Sequence, residues 1–262
     1  MSSIENIKEY YKVYDEDGRL LSKYGLVEYL TTMRYIEKHI KKGDRIIEIG
    51  AGTGRYSHSL AREGYIVDAV ELVEKNIEIF RQNTLPNEQI TVVQGTALDL
   101  DSFEDESYDI VLLLGPMYHL YSFEEQKRAI SEALRVAKRG GVIFASYVMA
   151  DASVLTYGFK KNVIDEIIRD CEIDVDTFEN YKKPWGVFEL YRKENIDKLR
   201  NQFDVEQLNF VITDGYANHM REEIENMEDR IFELFLKYHF SICEREDMVG
   251  LSHHTLDVFR KS

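Results

Sequence analysis

Apolar positions along this chain alternate between two periods. Ile4, Ile7, Tyr11 and Tyr14 recur at helical spacing, and a second helical pattern runs through Leu26, Tyr29, Leu30, Met33, Ile36 and Ile40, so residues 1–42 read as helix. Gly43 and Asp44 break it. Arg45–Ile49 then reads as a short buried strand, with a helix from about Arg55 to Glu63 that Gly64 ends, and a second strand at Tyr65–Val70. Glu74–Asn83 is helical, Ile90–Gln94 is a third strand, and Asp101–Ser107 is polar and loop-like. Tyr108–Leu114 is an unbroken apolar run, the pattern of a strand covered on both faces. Phe123–Ala137 is helical, and Arg139-Gly140-Gly141 turns it into a strand at Val142–Val148. Strands and helices alternating at this spacing predict an α/β fold with a doubly wound, mostly parallel sheet.

Beyond Met149 the rhythm changes. A helical stretch near Val163–Asp170 and the loop Lys182-Lys-Pro-Trp185 come first. Val187–Tyr191, a helix at Glu194–Phe203 and a strand at Gln207–Thr213 resume the α/β pattern; a helical segment at His219–His239 precedes a closing strand at Thr255–Arg260. The expected plan is therefore an N-terminal helical lid (1–42), an α/β core (43–149), a helical insertion capping the acceptor (150–186), more core (187–213), a second helical insertion (214–250) and a closing strand (251–262). No Pro/Gly/Ser-rich linker marks an independent second domain.

Composition narrows the class. The chain has 262 residues, 44% hydrophobic and 31% charged, which suits one domain able to bury a core. Cys171 and Cys243 are too far apart for a zinc knuckle or a redox pair, so a disulfide framework is excluded and a reducing cytoplasm fits. Apolar runs fall well short of the ~20 residues of a membrane span, and the N-terminus does not resemble a secretion signal. The net charge of −15, with no basic block, tells against nucleic-acid partners. It reads as solubility, or as a preference for a cationic or neutral acceptor. His219, His239, His253 and His254 show no metal-ligand spacing, so no metal is expected; the pair His253-His254 reads as surface or core support.

The chemistry is concentrated in Glu48-Ile-Gly50-Ala-Gly52-Thr-Gly54-Arg55, a strand ending in an acid and then in glycines at every second position. Such a turn lets a ligand lie against bare backbone at the start of a helix with free N–H groups. A dinucleotide fingerprint would read GxGxxG. The GxGxG spacing points instead to an adenosyl ligand without phosphates. Glu71 ends the second strand 21 positions after Gly50, where a carboxylate grips a ribose diol.

Glu48-Ile-Gly-Ala-Gly-Thr-Gly54, Glu71-Leu, Gln94-Gly-Thr-Ala97, Tyr108-Asp-Ile-Val-Leu-Leu-Leu114 and Arg135-Val-Ala-Lys-Arg-Gly-Gly141 stand in the order and spacing of class I S-adenosylmethionine (SAM)-dependent methyltransferases. The chain resembles their small-molecule branch, well over residues 40–150 and loosely over 187–213 and 255–260. The resemblance implies a seven-stranded Rossmann-like sheet, SAM as cofactor and S-adenosylhomocysteine (SAH) as product, and methyl transfer to an O, N or C atom of a small molecule. It implies that Gly50, Gly52 and Gly54 line the methionine and ribose portion, that Glu48 orients this loop or the methionine amino group, and that Glu71 holds the ribose. Adenine is expected between Leu72 and the loop Gly95-Thr96-Ala97. Thr96 stands where the family often has Asp, so Thr96, or Asp99 reaching back, is the candidate partner of the adenine amino group.

Leu114 and Gly115 are expected to face the sulfonium, with Gly115 permitting close approach of the adenosyl group. His119 is the candidate general base and Tyr118 a candidate orienting hydroxyl; a scaffold histidine and a packing tyrosine are the alternatives. Tyr11 or Tyr14 is a candidate to cover the sulfonium, and Arg19 to pair with the methionine carboxylate. Trp185 is a candidate wall of the acceptor pocket. Two rival readings carry other chemistry: an NAD(P)-dependent oxidoreductase on a similar sheet, and a non-catalytic SAM-binding module.

Overall fold

The computed structural model describes residues 3–13, 16–170, 173–180 and 187–262, with the backbone alone of residues 3, 4, 12, 13, 16, 17 and 19. Seven strands form one sheet: β1 (Arg45–Ile49), β2 (Ile66–Glu71), β3 (Ile90–Gln94), β4 (Tyr108–Leu113), β5 (Ala137–Val148), β6 (Val205–Ile212) and β7 (His254–Lys261). Their order is β3-β2-β1-β4-β5-β7-β6. The first five are mutually parallel, and β7 runs antiparallel between β5 and β6. The doubly wound sheet read from the sequence is present, and its strand order reverses between β1 and β4. That is where such sheets open a crevice beyond their carboxyl ends.

Burial explains why the central strands carry no polar alternation. Ile46, Ile47, Val111, Leu112 and Leu113 are all fully buried, because helices cover both faces. The helices of this half are α1 (Ser3–Val13), α2 (Glu16–Leu21), α3 (Lys23–His39), α4 (Arg55–Arg62), α5 (Glu74–Asn83) and α6 (Phe123–Val136). Ser22 caps α3 by accepting from Gly25 N–H. Ser122 and Glu125 form a reciprocal capping box on α6, the pattern expected from Ser-Phe-Glu-Glu before an apolar-periodic run. After β5 come α7 (Ala150–Ser153), a π-helical turn (Val154–Phe159), α8 (Ile164–Arg169), α9 (Lys193–Arg200), α10 (Arg221–Glu225) and α11 (Asp229–Ile242). No described helix is long and apolar enough to cross a membrane.

Three expectations need correction. Val187–Tyr191 is not a strand of the sheet. Seven residues of β5, Val142–Val148, pair with β7, so that edge of β5 is already occupied. The segment is held instead by scattered bonds, among them Glu189 N–H donating to Tyr118 C=O at 2.7 Å and Tyr191 N–H to Val148 C=O at 2.8 Å. Pairing of β5 also begins at Ala137 rather than Val142, since the register shift near Tyr108 and a left-handed Gly140 absorb the intended turn within the strand. Finally, 219–239 is two helices, and Ile224, inside the acidic run Arg221–Arg230, is fully buried against Val27, Ala217 and Phe232. The same small core explains why α3 buries Val27 and Thr31 while Leu26 and Leu30 stay partly exposed: α3 is covered on more than one side.

Candidate cofactor and acceptor site

The crevice at the strand-order reversal is walled on one side by the turn after β1. Gly50 and Ala51 N–H both donate to Val70 C=O, at 2.8 and 3.0 Å, which ties the turn to β2. Gly52 is left-handed (φ +56°), and a Cβ there would meet nothing within 4 Å, so its open side belongs to the crevice. Gly54 does something else. It caps α4 at φ +92°, and a Cβ on it would lie 2.5 Å from the Phe80 ring. It is absent from the cavity wall, so its role is helix packing rather than the ligand lining expected of it.

Two carboxylates brace this turn. Glu48 is buried and accepts from Ser57 N–H at 2.9 Å and from the Ser57 hydroxyl, which aims the first turn of α4. Burial, aided by nearby Glu71, pushes its pKa up to about 8. Glu71 Oε2 accepts from Gly52 N–H at 2.8 Å, and Oε1 from Val73 N–H and the Asn76 amide at 2.9 and 3.2 Å. Burial raises its pKa while these donors pull the other way. Its carboxylate faces the crevice one strand over from the turn.

Leu72, Thr96 and Ala97 form the next part of the wall. Thr96 Oγ1 accepts from Leu98 N–H at 2.9 Å. Asp99 is exposed, off the wall, and accepts from Asp101 N–H, so it does not reach back as supposed. Leu114 and Gly115 line the crevice at the end of β4. A Cβ on Gly115 would sit 3.1 Å from Gly50 C=O, so the glycine also lets two loops of the chain close together at the cavity wall.

Beyond Gly115, a short 3-10 turn (Pro116–His119) places Tyr118 and His119 on the wall. Tyr118 donates to Leu114 C=O at 3.1 Å. His119 Nδ1 lies 2.7 Å from Val187 C=O, which can only accept, so Nδ1 carries the proton and Nε2 is a bare lone pair. The Tyr11 hydroxyl, 3.0 Å away on α1, donates to that Nε2. Burial drives the His119 pKa down to about 4, so the imidazole is neutral. Phe188 packs on the His119 ring (5.3 Å) and on Tyr10 (5.4 Å), closing an aromatic seam between α1 and the segment after the first insertion. Tyr14, the Arg19 side chain and Trp185 lie outside the described residues.

Several wall residues went unnoticed in the sequence. Arg55, directly after the glycine turn, stacks on Tyr29 at 4.7 Å; its Nε is buried with no hydrogen-bond partner among the described residues. An acid pair frames the far end: His254 Nδ1 lies 2.9 Å from Asp214 and 3.3 Å from Glu28. Asp214 also accepts from His253 and His254 N–H and from the Ser252 hydroxyl. Burial opposes its ionisation, but these donors hold it well below the ordinary carboxylate range. Asp214, His253 and His254 thus bring possible ligand atoms within 4.8 Å of one another, which the sequence spacing did not suggest. No motif could have done so, because Asp214 lies 39 and 40 positions from His253 and His254.

These residues fit SAM. The open face of Gly52 leaves room against backbone, Glu71 offers a carboxylate to hydroxyls, and the unsatisfied Arg55 Nε offers a donor to an anion. Comparison with known proteins agrees. A family model described as "Methyltransferase domain" matches residues 47–145. A demethylmenaquinone methyltransferase of Clavibacter sepedonicus is 35% identical over 101 residues, 38% of this chain and 40% of the relative. A ubiquinone biosynthesis O-methyltransferase of Rickettsia typhi is 26% identical over 238 residues, covering 78% of this chain and 92% of the relative. The chain thus spans less than half the length of the first relative and most of the second. A SAM-dependent methyltransferase structure from Methanosarcina mazei, 17% identical, superposes with a TM-score of 0.58 over 87% of this chain and 96% of its own, and so shares the fold. Sheet order, glycine turn and domain match converge: residues 47–145 match a methyltransferase domain, and the chain has the fold of SAM-dependent methyltransferases.

Proposed function

We propose that this protein transfers a methyl group from SAM to a small-molecule acceptor. The observation that carries the reading is the union, in one crevice, of a wall suited to a nucleoside (Gly52, Glu71, Leu72, Ala97) with a neutral imidazole under a helical lid. In this reading Glu71 takes the ribose hydroxyls, Leu72 and Ala97 flank the adenine, Glu48 faces the methionine amino group and Arg55 pairs with its carboxylate. When bound, SAM supplies an electrophilic methyl group on a cationic sulfur.

The chain's own work is placement and dehydration. Positioning reactants alone is worth ~7–11 kcal/mol. His119, neutral and with a bare Nε2, accepts a hydrogen bond from the incoming nucleophile once Tyr11 yields it, steadying that group as positive charge builds on it. The N-terminal helices, which bring Ile7, Tyr11, Leu20, Glu28 and Thr32 to the wall, shield the crevice and set acceptor choice. The acidic surface, net −15, favours a small acceptor over a polyanion.

Calorimetric titration with SAM and SAH tests the cofactor side. Both should bind wild type, and Glu71→Ala should weaken SAH at least tenfold while circular dichroism stays unchanged. SAH release across amines, phenols and carboxylates tests turnover. Binding without release on any acceptor would mark a non-catalytic module, and binding of NADH in place of SAM an oxidoreductase.

A further inference from the structure

The end of the crevice away from the glycine turn is built from α3, the residue after β6 and the start of β7. Many polar groups of the acceptor-end wall are engaged within the chain. The hydroxyls of Tyr118 and Ser146 both donate to Leu114 C=O, and that of Tyr11 donates to His119 Nε2. Glu28 and Asp214 both face His254 Nδ1, at 3.3 and 2.9 Å. Asp214 also accepts from the Ser252 hydroxyl and from the N–H groups of His253 and His254. Thr213 differs. It lines the wall and is 2% exposed, and its N–H donates to His254 C=O at 3.0 Å, yet its Oγ1 is buried with no hydrogen-bond partner among the described residues. Taking a hydroxyl out of water without replacing its hydrogen bonds is unfavourable, so a ligand group that meets this oxygen gains from doing so.

The charges beside Thr213 decide what kind of group that is. An anion would be repelled by Asp214 and Glu28, at a cost that grows in a site shielded from water. A cation would have to draw those carboxylates away from His254, and the Thr213 hydroxyl supplies no counter-charge of its own. An uncharged hydroxyl avoids both costs and, like Thr213 itself, can donate and accept. We propose that Thr213 is a specificity-determining residue whose hydroxyl bonds an uncharged hydroxyl of the acceptor, at a distance from the atom methylated beside His119. The assignment rests on the methyltransferase reading and adds to it the polarity of the acceptor's second functional group.

Two matched series test it by calorimetry on the SAH-loaded protein: 2-(4-hydroxyphenyl)ethanol against 4-ethylphenol, tyramine and 4-hydroxyphenylacetate, and 1,6-hexanediol against 1-hexanol, 6-aminohexanol and 6-hydroxyhexanoate. The first-named compound of at least one series should bind about fivefold more tightly than its apolar and charged counterparts, the scale of one hydrogen bond. Thr213→Val keeps the branched shape and should abolish that preference, whereas Thr213→Ser keeps the hydroxyl and should retain it. SAH affinity should stay within twofold of wild type in both variants, which also reports that they are folded. A hydroxyl that bonds only the ligand does not hold the fold, so the denaturation midpoint of ligand-free Thr213→Val should equal or exceed that of wild type. Four results would each overturn the proposal: apolar or charged members binding as tightly in both series, no binding by either series, a preference that survives Thr213→Val or is lost from Thr213→Ser, and a lowered midpoint for Thr213→Val. Failure of wild type to bind SAH would instead strike the methyltransferase reading itself.

Discussion

The two ends of the crevice are built by different means. The cofactor end is mostly main chain: the turn after β1 is tied to Val70 C=O, and Glu71 is fixed by the N–H groups of Gly52 and Val73. The acceptor end is mostly side chain, drawn from residues as far apart as 11 and 119, or 28, 213 and 254. A wall of backbone tolerates little variation in shape but much in sequence nearby. A wall of side chains can be rewritten one residue at a time on the same frame. The contrast teaches where specificity for a common cofactor and for a particular acceptor are each stored.

Removing the acceptor-end base should give the largest effect. In His119→Asn the amide NH2 can still donate to Val187 C=O, whereas the Nε2 lone pair is lost. We expect kcat to fall by about 10²-fold, at the low end of what proton-accepting groups supply. SAH affinity should stay within twofold. A variant that loses SAH affinity equally would show that the two ends are not separable.

The cofactor end can be divided by its glycines. Gly54→Ala must place a Cβ 2.5 Å from Phe80 at φ +92°, and should cost about 3 kcal/mol of stability from overpacking and left-handed strain. Gly52→Ala meets open space at φ +56° and should cost about 1 kcal/mol, yet it should weaken SAH more than Gly54→Ala does at a temperature where both are folded. Chemical denaturation and calorimetry measure the two quantities. Equal losses of stability would refute the division of labour.

The same contrast explains what could be read in advance. The cofactor end was legible because its parts are local: strand, glycine turn, helix and Glu71 lie within 27 positions of one another, from Arg45 to Glu71. Helical and strand periods located all seven strands for the same reason. Val187–Tyr191 was misread since apolar composition alone cannot say whether a neighbouring strand edge is free, and β7 had taken it. Gly54 and Gly115 show that a glycine's place in the sequence does not reveal what presses on it, whether or not it also lines the crevice, as Gly115 does. Here the pressing atoms are Phe80 and Gly50 C=O. Glu28, Thr213 and His254 carried no signal at all, since only the fold unites them.

Arg55 sharpens the cofactor end further. Arg55→Met keeps a long side chain over Tyr29 and removes the unsatisfied donor. It should weaken SAH about tenfold, the scale of one charge-assisted pair. Affinity for 5′-methylthioadenosine, which has no carboxylate, should be unchanged. If both ligands weaken alike, Arg55 supports the fold of the turn rather than the carboxylate.

The smallest effect concerns Glu48, and its sign follows from the direction of the shift. Burial holds this carboxyl protonated up to about pH 8 in the ligand-free protein, above its ordinary value. A methionine ammonium beside it would favour the carboxylate, so ligand binding should expel the proton. Affinity for SAH should then rise between pH 6 and 7.5, by no more than tenfold per unit, and the binding heat should depend on the ionisation enthalpy of the buffer. Stability moves the opposite way. A folded pKa above the unfolded one contributes stability that is complete below the unfolded value and is lost as pH rises through 8. Glu48→Gln should flatten both profiles while keeping the neutral side chain's size. A binding heat identical in phosphate and Tris buffers would mean that no proton leaves, and that Glu48 serves only to aim Ser57 and the start of α4.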